Sequence, residues 1–135
     1  KTITNHWATS PRNYMKETCL TCHKDKTAKQ MNQVIDAMHN HYTGKVRNAE
    51  QRMTEMFNAF EIAKAAGVSE DVLEQARKLH ATAHVNWEWN TATNGAWFHN
   101  PELAMKQLDT AAKSATKARD LLRKAVADKQ GAAKK

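Results

Sequence analysis

Residues 19–23 read Cys-Leu-Thr-Cys-His, the pattern Cys-x-x-Cys-His. Two thiols three positions apart can each form a thioether to one edge of a porphyrin. The imidazole that follows directly, His23, then meets the iron from one face, which is the chemistry of covalent haem attachment. Three other chemistries compete for these side chains. A zinc site would need two more ligands; His39 and His41 can be proposed, but two apart on a helix they cannot face one metal together. A thioredoxin-like pair would need a βαβ context, and the chain shows no strand pattern. A disulfide between cysteines this close is strained and stabilises little. Haem c held by Cys19 and Cys22, with His23 as an axial ligand, is the reading adopted.

The chain has seven histidines for this one motif, six of them outside it. His6 precedes the pair Ser10-Pro11. His99 lies between two helical patterns, and His80 and His84 are four apart on one helix face. Spacing alone does not choose among them, and for each taken singly a surface or hydrogen-bonded core role is the commoner one.

The elements that must position these residues are helical. Four Gly and two Pro leave little turn material for strands. Met31, Ile35, Met38, Tyr42, Val46, Ala49, Met53, Met56, Phe60 and Ala63 recur at spacings of three and four, which predicts one long helix ended near Gly67. Ser69 is placed to cap a second helix running to about Thr93, with Glu70, Asp71 and Glu74 near its positive end. Asn94-Gly95 breaks it. Asn100 and Pro101 are the N-cap and first residue of a third helix, whose Ala104, Leu108, Ala111, Ala115, Ala118, Leu122 and Ala125 form a seam suited to antiparallel packing. The expected fold is all-α. It comprises an irregular haem-attachment segment (1–26), an antiparallel bundle of three long helices (27–130) and a disordered tail (131–135).

The net charge of +7 is unevenly spread. Residues 1–30 carry six Lys/Arg against two acids and residues 113–135 eight against two, while the middle is mildly acidic, with seven against ten. Neither basic end has interleaved aromatics, which argues against a nucleic-acid platform. No run of about 18 apolar residues is present, so no membrane span is expected. Lys1 opens without a secretory signal, so a processed chain or a piece of a longer one is expected.

Taken in order, these features resemble the C-terminal third of the pentahaem cytochrome c nitrite reductases. The resemblance runs over essentially the whole chain. It comprises His-x-x-x-Ser-Pro (His6, Ser10, Pro11), the last haem motif, and a long helix. A Trp-rich helix follows (His84-Val85-Asn86-Trp87-Glu88-Trp89), then Asn-Gly-x-x-x-His ending at His99, His-x-Pro-Glu (His99, Pro101, Glu102), and an Ala-rich helix. The haem motif is common to all c-type cytochromes; the order of the rest is what is specific.

The resemblance implies that Cys19, Cys22 and His23 hold the family's fifth haem. His6 matches the distal iron ligand of the second haem and His99 that of the fourth. Family members are periplasmic and reduce nitrite to ammonium with six electrons at a Lys-ligated haem. No Cys-x-x-Cys-Lys occurs here, so no catalytic residue is assigned and the chain alone should not reduce nitrite. It would be an electron-relay and dimerisation part, partnered by the other haem-bearing part of the enzyme. A homodimer through the long helices, with the Met31–Ala63 stripe at its interface, is implied, as is a cytochrome or quinol dehydrogenase as redox partner. A self-contained monohaem carrier, using one of its own histidines opposite His23, is the alternative. A piece of a multihaem enzyme converting hydroxylamine or sulfite is another.

Overall fold

The computed structural model describes residues 10–93 and 95–132. A 3-10 turn at Pro11–Tyr14 leads through tight turns into α1 (Ala28–Ala65), followed by α2 (Glu70–Ala92), the short α3 (Ala96–His99) and α4 (Pro101–Ala132). There is no strand among the described residues, as expected for an all-α chain.

Each helix starts where its local chemistry permits. Thr27 and Gln30 form a reciprocal capping box, the Thr27 hydroxyl accepting from the Gln30 amide and the Gln30 side chain from the Thr27 amide. At the other end of α1, Gly67 adopts φ 66°. Val68 N–H then reaches the Ala63 carbonyl at 3.0 Å and Gly67 N–H the Lys64 carbonyl at 2.9 Å. This is a Schellman stop, and the buried Val68 closes it by joining Ala63 in one apolar cluster. The Lys129 ammonium also donates to the Gly67 carbonyl, tying the end of α4 to this turn.

Ser69 is the N-cap of α2, but its hydroxyl makes no capping bond. Glu70 and Asp71 occupy the first turn, while Glu70 and Glu74 both engage Arg77, at 2.5 and 3.1 Å. At α4 the Asn100 side chain accepts from Leu103 N–H, and Pro101 fills the first helical position, where its missing N–H costs nothing. The four-residue α3 is an addition to the expected elements. Gly95, at φ 75°, reverses the chain, and Phe98 N–H bonds back to its carbonyl.

α4 packs along both α1 and α2, which touch each other far less. Its inner face is small: Ala104, Ala111, Ala115 and Ala118 are at most 2% exposed, as are Leu108 and Leu122. Such a face lets two helices approach closely. Opposite it, α1 buries Tyr42, Ala49, Met53, Met56, Ala59 and Ala63, while Met31 and Ile35 at its start are buried against the segment of Met15 and Cys19. The stripe expected at a dimer interface is therefore spent inside this chain, with Ala59 facing the core and Phe60 only half buried. The 3.6-residue period marks a buried face without saying which partner buries it.

One polar group is built into this core. Asn90 is 1% exposed; its amide donates to the Asn86 carbonyl at 2.8 Å and to Gln107 of α4 at 3.1 Å. The Tyr42 hydroxyl of α1 donates to the Asn90 carbonyl at 2.6 Å. Three helices are thus keyed together at one level. Leu108 lies in the apolar cluster of Tyr42 and Ala104 and is fully buried. Leu108→Ala should lower stability by about 2–5 kcal/mol, read as the shift in a urea unfolding midpoint with little change in slope.

Candidate haem-binding site

The segment carrying Cys19, Cys22 and His23 is irregular, and two contacts fix it to α1. Arg12 donates to Asn32 at 3.2 Å and to Asp36 at 2.5 Å, one turn apart on α1. Below that clamp, Met15 and Cys19 are buried in a cluster with Met31 and Ile35. Successive backbone turns shape the motif: Cys19 N–H bonds the Met15 carbonyl at 3.1 Å, and His23 N–H the Cys19 carbonyl at 2.9 Å. The second bond closes the whole pentapeptide into a single turn. Thr18 and Thr21 return their hydroxyls to the backbone, at the Tyr14 and Thr18 carbonyls, and brace that turn from outside.

No disulfide joins the two cysteines; Cys19 is buried and Cys22 exposed, and His23 is also exposed. These residues suit a covalently attached porphyrin. One thioether would leave from an apolar floor and the other from the surface, with the imidazole on the solvent side of the turn. Among the described residues there is no group of three or more His, Cys, Asp or Glu placed to hold a metal ion. His39 instead stacks edge-on to Trp97, with ring centroids 5.2 Å apart, and His41 is exposed.

Leu20 from the motif and Trp97 and Phe98 from α3 pack on the Cys19 cluster. Trp97 also meets Tyr42 (6.2 Å) and Phe98 (5.7 Å), and it joins the cluster of Tyr42, Ala104 and Leu108. It bridges the haem segment and the bundle. His99, the last residue of α3, therefore has its backbone one and two positions beyond two side chains on the floor under Cys19. His6 lies outside the described residues.

Trp87 and Trp97 both pack on the cluster of Tyr42, Ala104 and Leu108, while Trp89 stands apart from it. Trp87 is half buried and donates to Glu50 of α1 at 3.3 Å, Trp89 is 60% exposed, and Trp97 sits with the haem segment. His80 and His84 do share a face, with ring centroids 5.7 Å apart, and Phe57 of α1 stands edge-on to His80. Burial, and secondarily the charge of His84, push the His80 imidazole down from its ordinary value. Sequence spacing did not point to the joint role of His39, Tyr42 and Trp97. His39 and Tyr42 are neighbours on one face of α1, but Trp97 is far along the chain, and only α3 brings it back onto α1.

The family model for cytochrome c552 matches residues 1–135. The chain belongs to the cytochrome c552 family. That makes it a c-type cytochrome, with covalently bound haem c as the cofactor class. Among curated relatives, it is 29% identical over 90% of its length to a cytochrome c nitrite reductase subunit NrfA of Nitratidesulfovibrio vulgaris. It is 26% identical over 87% of its length to a cytochrome c-552 of Maridesulfovibrio salexigens. A cytochrome c-552 of Aliarcobacter butzleri is 28% identical over 92%. The chain spans about a quarter of the length of these relatives: 24%, 23% and 25%. Among the described residues no helix is long and apolar enough to cross a membrane.

Proposed function

We propose that this chain is the electron-relay part of a periplasmic multihaem cytochrome that reduces nitrite to ammonium. Cys19 and Cys22 bond one haem covalently and His23 is its axial ligand. His6 and His99 are distal ligands to haems attached on other parts of the enzyme. No catalytic residue is assigned within the chain, because the substrate-binding haem belongs to sequence outside it.

The observation that carries this reading is the shared apolar cluster beneath Cys19. Trp97 and Phe98, immediately before His99, pack on the same floor as the thiol of the attachment motif. A haem bonded at Cys19 and a haem ligated at His99 would then be held by one packed unit. Closely spaced low-spin haems in fixed relation are what electron relay requires. With imidazole on both axial positions an iron has no open site for substrate, which suits transfer over catalysis.

Dimerisation through the long helices belongs to the same reading, on faces other than the α1 stripe. Val85 and Trp89, one turn apart on the outer side of α2, are 62% and 60% exposed and are suited to such a contact. The redox partner is a cytochrome or a quinol dehydrogenase.

Haem stoichiometry tests the reading against a self-contained carrier. Pyridine haemochrome titration of the purified native assembly should give several haems per copy of this sequence, together with nitrite reduction. The isolated segment should carry one haem and reduce no nitrite. A native protein of one haem per chain would establish the carrier instead.

A further inference from the structure

The outer face of α4 carries a feature that haem binding does not use. At 100° per residue, Lys106, Lys113, Lys117 and Lys124 fall within about 20° of a common line along the helix, spanning about 27 Å. The line lies opposite the buried Ala104, Leu108, Ala115 and Leu122, and all four lysines are exposed.

The surrounding charges make the ridge more basic than its sequence alone would. Asp109 is within helical reach of Lys106 and Lys113, yet it bonds Lys45 of α1 at 2.6 Å. Asp120 is within reach of Lys117 and Lys124, yet it bonds Arg119 at 2.8 Å. Only Lys124 has an acidic partner, Asp128 at 2.5 Å. Lys106, Lys113 and Lys117 have none among the described residues, although Lys113 and Lys117 repel each other at i,i+4. Of the acids on α4, Glu102 alone is not otherwise engaged.

We propose that this ridge is a docking surface for a protein presenting an elongated acidic face, and specifically for one that exchanges electrons with the haem at Cys19 and Cys22. The second clause rests on the haem reading above. The ridge begins at the Pro101 end of α4, and Ala104 and Leu108, on the opposite side of that same stretch, share Trp97 with the haem segment, so a partner laid along it meets the end of the bundle that carries the attachment motif. A membrane surface fits less well. The apolar face of α4 is spent in the core, and Leu103 is the only exposed large apolar side chain on the helix, so nothing is left to insert.

The test uses the full holo-protein and a reduced flavodoxin as a small acidic one-electron donor. Each flavin hydroquinone gives one electron to one ferric haem, leaving a semiquinone and a ferrous haem. A variant with Lys106→Glu, Lys113→Glu and Lys117→Glu is compared with a control of equal net charge, Lys29→Glu, Lys64→Glu and Lys78→Glu. At low ionic strength the ridge variant should be reduced about ten-fold or more slowly, and the control less than about three-fold. The difference should vanish near 1 M salt.

Calorimetric titration with oxidised flavodoxin should rank the variants in the same order without needing the haem. A chain lacking haem would oxidise no flavin in any variant, and the calorimetric order alone would then decide the ridge. Equal losses in both triple variants, or none in either, overturn the proposal. So does sedimentation with phosphatidylglycerol vesicles that the ridge variant loses while its flavodoxin kinetics stay at the parent rate, which would make the surface a lipid contact.

Discussion

His23→Ala should leave the haem of this chain attached but turn its iron high-spin. The two roles separate because different atoms perform them. The thioethers belong to Cys19 and Cys22, while His23 contributes only a coordinate bond from its ring. His23 is exposed, and the bond that shapes its turn runs from its backbone N–H to the Cys19 carbonyl, so alanine preserves the fold of the motif. The mass of the denatured holo-chain should therefore change only by the side chain removed. The ferric Soret and charge-transfer bands should report one high-spin haem. Loss of the haem itself on this substitution would mean that His23 is needed for attachment.

The second large effect is expected at His99, and it concerns a different haem. His99→Ala in the native assembly should make one haem high-spin while the haem bonded to Cys19 and Cys22 stays six-coordinate. His99 ends α3, whose other side chains, Trp97 and Phe98, are anchored in the Cys19 cluster. Truncating the last residue leaves that anchor in place, so the change should be confined to coordination. A neutral imidazole on iron donates through its second ring nitrogen to an acceptor that fixes its orientation. Electron paramagnetic resonance resolves the outcome, since low-spin and high-spin ferric haems have separate signals. A change in the Cys19/Cys22 haem, or in none, would make this chain a self-contained carrier.

Much of the scaffold was legible because its signals are local. The Gly67 stop and Asn100 with Pro101 act over a few residues, and each marks the helix end expected of it. The periodic residues of α4 are buried as far as Leu122, Ala125 only partly, and α4 runs through Ala132. What could not be read was long-range. Periodicity showed that α1 has a buried face, but not that α4 and α2 cover its later part while the Met15–Cys19 segment covers Met31 and Ile35. The four-residue α3 is too short for any period, yet it brings Trp97 onto His39 and Tyr42. At the site, the pentapeptide was evident from spacing, whereas the floor beneath Cys19 joins residues from three separate segments.

The central claim is that haem is bonded covalently through Cys19 and Cys22, and denaturing mass spectrometry tests it most directly. The chain should be produced in a host that attaches haem c. It should then be heavier than its sequence by one haem, with no thiol open to alkylation, and Cys19→Ser with Cys22→Ser should abolish the added mass. A chain of unmodified mass with two alkylatable thiols, from the same host and alongside a correctly matured control cytochrome, would contradict the account.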